Sequence, residues 1–320
     1  MKTRRAYIVE PRKIEIREID LSPKPDQVMV KVAACGLCNW ELNHWRGIIG
    51  SFPQPIGHEW AGEVVETGSG VTKFKVGDRI AMFPPEGNLE GFADFACISE
   101  NYSWRVSPEI DLKYAIAEPL KCIITVARAA APETGDVGVI QGCGPMGLWC
   151  IQALAGPHLA ALVAVDVDER KLALARQYGA THTINARSED ALSRVLDISK
   201  GAGADFVIEG TGLPENMNTG LQYLRYTGRG KLVLMSSHER PCREFDFREA
   251  IDRAAEIIVA HDAHATNQLD NLRRAVNRLG DGAFQVRDLI THEFALADIQ
   301  HAFETLENKP DGYLKGIVIP

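Results

Sequence analysis

No stretch of this sequence is apolar for long enough to cross a bilayer. Its opening, MKTRRAYIVEPRKIEIREID, alternates charge with apolar side chains and never reaches the apolar core of a secretory signal. A basic excess is missing too. The 35 Lys and Arg are dispersed and stand against 43 Asp and Glu, a formal charge of −8, so neither nucleic acid nor an anionic membrane is the expected partner. Nor is there a disulfide framework: the seven cysteines, at 35, 38, 97, 122, 143, 150 and 242, are odd in number and scattered, which suits a reducing compartment. Repeats and low-complexity linkers are absent. What remains is an ordinary globular composition, 45% hydrophobic and 24% charged, in a 320-residue chain long enough for two domains and expected in the cytoplasm.

The two halves differ in pattern. Arg5 to Ile8, Lys13 to Arg17 and Val28 to Val32 alternate as short strands, with Ser22 to Asp26 as punctuation between the last two. Glycine-bent pieces follow at Ala61 to Gly68, Phe74 to Ile80 and Gly91 to Ile98, so the first 110 or so residues read as β-rich. Tyr114 to Ala131, interrupted by Pro119, reads as a helical connection. Strands and helices then alternate from Val137 to Leu279, which predicts a parallel sheet with helices on both faces. A tail from about Asp288 carries a strand, a short helix at Leu296 to Leu306 and a last strand at Leu314 to Ile319, and is expected to return to the first domain.

Within the alternating half, the strand Val137 to Gln141 runs into Gly142-Cys143-Gly144-Pro145-Met146-Gly147 and then into a helix. Gly142, Gly144 and Gly147 suit a tight turn, a close approach of backbone to pyrophosphate, and close packing of helix on strand. The helix N-terminus offers free N–H groups to phosphate. Asp166 ends the next strand, where a carboxylate can bind both hydroxyls of an adenosine ribose and would repel a 2′-phosphate. NAD is therefore favoured over NADP, with Arg170 near enough to weaken that preference.

The β-rich half gathers metal-ligand chemistry in Cys35 to Glu59, CGLCNWELNHWRGIIGSFPQPIGHE. Thiol, imidazole and carboxylate are the groups that hold Zn²⁺, and a catalytic zinc keeps a position open for substrate. Cys38, His58 and Glu59 are the candidate ligands, and Cys35 reads as a packed thiol or a neighbour of the ligands. Taken singly, His58 would be a hydrogen-bonded turn histidine and Glu59 half of a structural ion pair.

Together these residues resemble the zinc-containing medium-chain alcohol and polyol dehydrogenases, over nearly the whole chain. In that family a run like Cys35-Gly36-Leu37-Cys38 ends in the zinc-binding cysteine and Gly57-His58-Glu59 supplies the histidine. Gly68 to Arg79 and Gly91-Phe92-Ala93 match strands of the same domain. The resemblance implies an α/β fold: a Rossmann doubly wound parallel sheet at 124–285, plus a β-rich GroES-like catalytic domain from 1–123 and 286–320. Sorbitol-like and threonine-like members carry Glu-Pro-Leu, which points to Glu118 of Glu118-Pro119-Leu120 as a further ligand, with Glu59 able to exchange with it. Cys122 lies one position beyond the cysteine that alcohol dehydrogenases use.

Three departures from the family matter. Met82 to Glu90 contains no cysteine where many relatives carry a four-cysteine structural lobe, so one zinc per chain is expected. Trp40 stands where a Ser or Thr hydroxyl usually passes the substrate proton, and a Trp offers only its ring N–H. Asn43 stands where a histidine often completes that relay, with His44 beside it, so the proton is expected to leave by Glu118 or by His44. Glu41 is expected to orient His58.

The reaction implied is oxidation of a secondary alcohol to a ketone with hydride passing to NAD, zinc lowering the pKa of the hydroxyl. A polyol, sugar alcohol, cyclitol or amino alcohol is the expected substrate, with Trp40, Trp45 and Phe52 as possible pocket walls. A zinc-free quinone or enone reductase and a catalytically inactive dinucleotide sensor are the alternatives. Relatives form dimers or tetramers by joining cofactor-domain sheet edges, for which Lys231 to Met235 and Glu256 to Val259 are candidates.

Overall fold

The computed structural model describes residues 1–85, 89–236 and 241–320. Residues 86–88, in the middle of the cysteine-free Met82-to-Glu90 stretch, thus lie outside the described residues. The chain forms two compact units, Met1–Lys121 with Thr266–Pro320, and Cys122–Ala265.

The first unit opens with β1 (Lys2–Glu10), β2 (Lys13–Asp20), β3 (Gln27–Gly36), helix α1 (Asn39–Trp45), β4 (Gln54–Pro55), β5 (Trp60–Thr67), β6 (Arg79–Met82), β7 (Phe95–Ser99) and β8 (Ser103–Arg105). Helix α2 (Glu118–Ala130) leads out of it. Pro119 does not interrupt this helix, as the sequence pattern had suggested. It falls in the first turn, where the missing N–H has no intrahelical partner to lose.

The second unit contains β9 (Val137–Gln141), α3 (Pro145–Leu154), β10 (Ala161–Asp166), α4 (Glu169–Gln177), β11 (His182–Asn185), α5 (Ala191–Ile198), β12 (Phe206–Glu209), α6 (Asn216–Tyr223), β13 (Lys231–Leu234), α7 (Phe247–Asp252) and β14 (Glu256–Val259). The first unit then resumes with α8 (Gln268–Gly280), β15 (Ile290–Ala295), α9 (Ile299–Asn308) and β16 (Lys315–Ile319). The return comes at Thr266 and not at 286, because α8 packs against β8 of the first unit.

In the first unit β3 is the central strand. It pairs antiparallel with β5, β7 and β16, and its residues are buried almost without interruption. The sheet runs β15-β16-β3-β5-β6-β8, and a smaller one runs β2-β1-β4. Val28, Val30, Val32, Val64, Ile80 and Ile98 form the sheet side of the core, closed by Leu42 and Trp45 of α1 and by Ile299, Phe303 and Leu306 of α9. The α9 residues recur at helical spacing, which is the stripe an amphipathic helix buries. Of the expected Gly91-to-Ile98 strand, Phe95 to Ile98 belong to β7 and Ala93 makes an isolated bridge with Arg5. Gly91 and Phe92 instead donate backbone N–H bonds to the carbonyls of Gly57 and Ile56.

The second unit is a six-stranded parallel sheet in the order β11-β10-β9-β12-β13-β14. This is the Rossmann order: the chain lays β10 and β11 on one side of β9 and then β12, β13 and β14 on the other, and a crevice opens at the carboxyl ends of the strands where the order reverses, between β9 and β12. Among the described residues, no helix is long and apolar enough to cross a membrane.

Candidate metal centre and dinucleotide site

The register of two strands brings distant ligands together. In the β3–β5 ladder Cys35 pairs with Trp60, and Gly36 N donates to Glu59 O at 2.8 Å. The residues just past Gly36 therefore face those just before Trp60. Cys38 caps α1 in extended conformation, and His58 and Glu59 sit across from it. A thiol sulfur, an imidazole nitrogen and a carboxylate oxygen from Cys38, His58 and Glu59 all lie within 4.8 Å of one another. Cys35, by contrast, is fully buried in the core of the sheet.

Gly57 makes this approach possible. Its φ of +109° lies where side-chain-bearing residues rarely go, and a Cβ there would collide with the backbone N of Phe92. On the opposite strand a Cβ at Gly36 would occupy the place of the Glu59 carboxylate.

Around the three donors is a shell of buried charge. Glu41 of α1 accepts from Gly57 N at 2.5 Å and lies 3.1 Å from His58 Nδ1, which turns Nε2 toward the other donors. Lys315, the first residue of β16, places Nζ 2.6 Å from Glu59 Oε2 and donates to Leu37 O at 3.0 Å. Glu118 opens α2 with Oε2 3.9 Å from His58 Nε2, and Oε1 lies 3.3 Å from Nζ of Lys121, one helical turn on. Glu118 is thus beside His58 but outside the tight three-donor set.

Burial would depress the His58 pKa, but the charge of Glu41 and the bonds to Cys38 and Glu41 outweigh it and hold His58 well above its ordinary value. Burial pushes the Cys38 thiol up, with Glu59 adding to the effect. Burial also raises Glu59, against the pull of Lys315 and His58. In the metal-free site both shifts favour the protonated forms of His58 and Cys38. The donor set fits zinc: sulfur, nitrogen and oxygen are its usual ligands, and two of the three would exchange a proton for it.

Residues of α1 complete one side. The Trp40 ring stands edge-on to His44 at 4.2 Å and to His58 at 5.4 Å. His44 Nδ1 lies 2.5 Å from the Gln54 amide, and its buried Nε2 has no hydrogen-bond partner among the described residues. Burial lowers its pKa. Asn43 is buried in the same helix.

In the second unit Gly142 to Gly147 join β9 to α3, whose N-cap is Gly144 and whose first residue is Pro145, with Met146 behind it. Asp166 ends β10 and accepts from Cys143 N at 2.7 Å, Val167 N at 2.7 Å and Asp168 N at 3.0 Å. Three backbone bonds fix its carboxylate at the carboxyl end of β10, beside the glycine turn that follows β9. Arg170 turns aside and donates to both Asp168 oxygens, at 3.3 and 3.1 Å.

Lys121 and Lys315 were missed in the sequence. Their signal was a lysine inside an apolar helix and a lysine opening an apolar strand, neither distinctive before the partner carboxylates were placed.

Two families match this chain: the alcohol dehydrogenase GroES-like domain over residues 24–103 and the zinc-binding dehydrogenase over 145–268, together well over half of it. Among curated proteins, it is 28% identical to an uncharacterized zinc-type alcohol dehydrogenase-like protein of Escherichia coli strain K12, covering 99% of each chain. It is 27% identical to the sorbitol dehydrogenase of Bacillus subtilis strain 168, covering 95% of each. Among solved structures, an Escherichia coli oxidoreductase/dehydrogenase of unknown specificity involved in membrane biogenesis superposes with a TM-score of 0.89 at 25% identity, over 100% of this chain and 99% of that one.

Proposed function

Because the chain belongs to the zinc-type medium-chain alcohol and polyol dehydrogenase family, we propose that it oxidises a secondary alcohol with NAD at one zinc per chain. The alcohol is a polyol or a related sugar alcohol, cyclitol or amino alcohol, in keeping with the sorbitol dehydrogenase relative. The observation that carries the reading is the convergence of Cys38, His58 and Glu59. With Glu118 in reach, these residues would hold the metal, and Glu41 would hold the His58 ring in place through Nδ1. When bound, zinc lowers the pKa of an alcohol and the nicotinamide accepts hydride from its carbon.

The chain's own groups do the rest. Asp166 presents a fixed carboxylate to the adenosine ribose, and the α3 N-terminus presents N–H groups to the phosphates. Arg170 is directed at Asp168 and not at the ribose side of Asp166, which supports NAD over NADP. Trp40 has no hydroxyl to pass a proton. Of the two remaining routes, Glu118 has better support than His44, whose Nδ1 faces Gln54 and whose Nε2 is enclosed. We also place the enzyme in the cytoplasm, as a dimer joined through β14.

The test is zinc per chain by elemental analysis of wild type and Cys38→Ala, with a polyol panel assayed against NAD and NADP. About one zinc in the wild type, lost in the variant, with NAD-linked turnover is the expected result. A wild type that takes up no zinc would overturn the reading. Zinc and dinucleotide binding without turnover on any alcohol would leave a binding protein in its place.

A further inference from the structure

The two carboxylates near the Cys38–His58 pair are held in the same way. Each gives one oxygen to a buried lysine of the same unit: Glu59 Oε2 to Lys315 at 2.6 Å, and Glu118 Oε1 to Lys121 at 3.3 Å. In Glu118 the second oxygen, Oε2, is the one 3.9 Å from His58 Nε2. The lysines come from unrelated elements, β16 and α2, and each is fixed by a further contact. Lys315 donates to Leu37 O, the carbonyl just before Cys38, and Lys121 lies 4.9 Å over the Phe83 ring.

We infer that Lys121 and Lys315 are positioning residues of the metal centre, each tying down one oxygen of a glutamate so that it can offer the metal only the other. The inference rests on the zinc-site reading above and deepens it. Two physical arguments carry it.

The first is coordination. A carboxylate that binds through both oxygens uses two positions, so one such glutamate beside Cys38 and His58 would already fill a four-coordinate zinc, whereas a glutamate held to one oxygen serves as a third ligand and leaves the fourth position open for substrate. A lysine on one oxygen limits each glutamate to a single donor.

The second is charge. Cys38, Glu41, Glu59 and Glu118 are four acidic groups in one largely buried volume. A divalent ion offsets two of their charges when all are ionised and His58 is neutral, and the two ammonium groups offset the other two. Without the lysines the loaded site would bury two uncompensated negative charges, which is costly in a low-dielectric interior.

The experiment is zinc and cobalt binding to the full chain after metal removal, for wild type, Lys121→Met, Lys121→Arg, Lys315→Met and Lys315→Arg. Zinc affinity is read by competition with a chromophoric chelator, and geometry by the visible absorption of the cobalt form. Each Met variant is expected to bind zinc about 10- to 100-fold more weakly, the usual loss for residues that orient metal ligands, and to shift the cobalt spectrum. Each Arg variant, keeping charge and donors, is expected to recover most of the loss. Dinucleotide affinity should not move in any of them, whereas a merely structural lysine would change folding and metal binding together.

Met variants that fold, bind zinc within about twofold of wild type and give an unchanged cobalt spectrum would overturn the inference while leaving the zinc reading intact. A wild type that binds no zinc would overturn both. If Lys315→Met folds poorly because it strands Glu59, Lys121→Met and Lys121→Gln decide the matter by the same readouts.

Discussion

At the scale of single residues, the metal centre is a problem of protons. His58 is raised above its ordinary pKa by Glu41 and Cys38 despite burial, and Cys38 is raised by burial, so both shifts favour the protonated forms in the metal-free protein. Zinc needs both gone. Its affinity should therefore rise with pH, by up to about two decades per unit while both protons are bound, and level off above the folded pKa values. Chelator competition at about pH 6 and about pH 8 checks this, and an affinity that does not change with pH would refute it. Gly57 is the other residue-scale control. With a φ of +109° and the Phe92 backbone against it, Gly57→Ala should cost about 1–3 kcal/mol or more and weaken zinc binding. Urea unfolding measures the first effect and chelator competition the second.

At the scale of elements, the β9-turn-α3 unit and β10 are joined by one carboxylate. Asp166 ties Cys143 of the glycine turn to Val167 and Asp168 ahead of α4, so a side chain expected to read ribose also sets the shape of the loop. Asp166→Ala should raise KM for NAD about tenfold or more, since hydrogen bonds to a charged group contribute about 1.5–3 kcal/mol. It should also narrow the proposed preference for NAD over NADP. Steady-state kinetics with both dinucleotides decide the point, and an unchanged KM for NAD would remove Asp166 from the site. Helix α1 makes a related case: its seven residues carry Trp40, Glu41 and His44 toward the metal centre while Leu42 and Trp45 anchor it in the core. The sequence reading did not recognise it as a helix, because two turns hold too few apolar residues to establish a period.

At the scale of the whole molecule, β14 is an edge strand with Val259 70% and Ile257 41% exposed, an apolar edge that single chains usually protect. If it joins two copies, Ile257→Lys with Val259→Lys should convert a dimer to a monomer in light scattering, with zinc content unchanged. A mass unaffected by the pair would place the interface elsewhere. The parallel sheet and the glycine turn were legible in the sequence because they rest on local alternation and on a short motif whose spacing has a mechanical reason. Cys38, His58 and Glu59 were legible for a similar reason, as ligand types close together in the chain. Tertiary structure alone decided the rest. The register of β3 against β5 and β16 brings Glu59 and Lys315 together across nearly the whole sequence, and α2 turns Lys121 onto Glu118. Those charges are paired by strand register and helix direction, and a linear pattern of residue types carries neither.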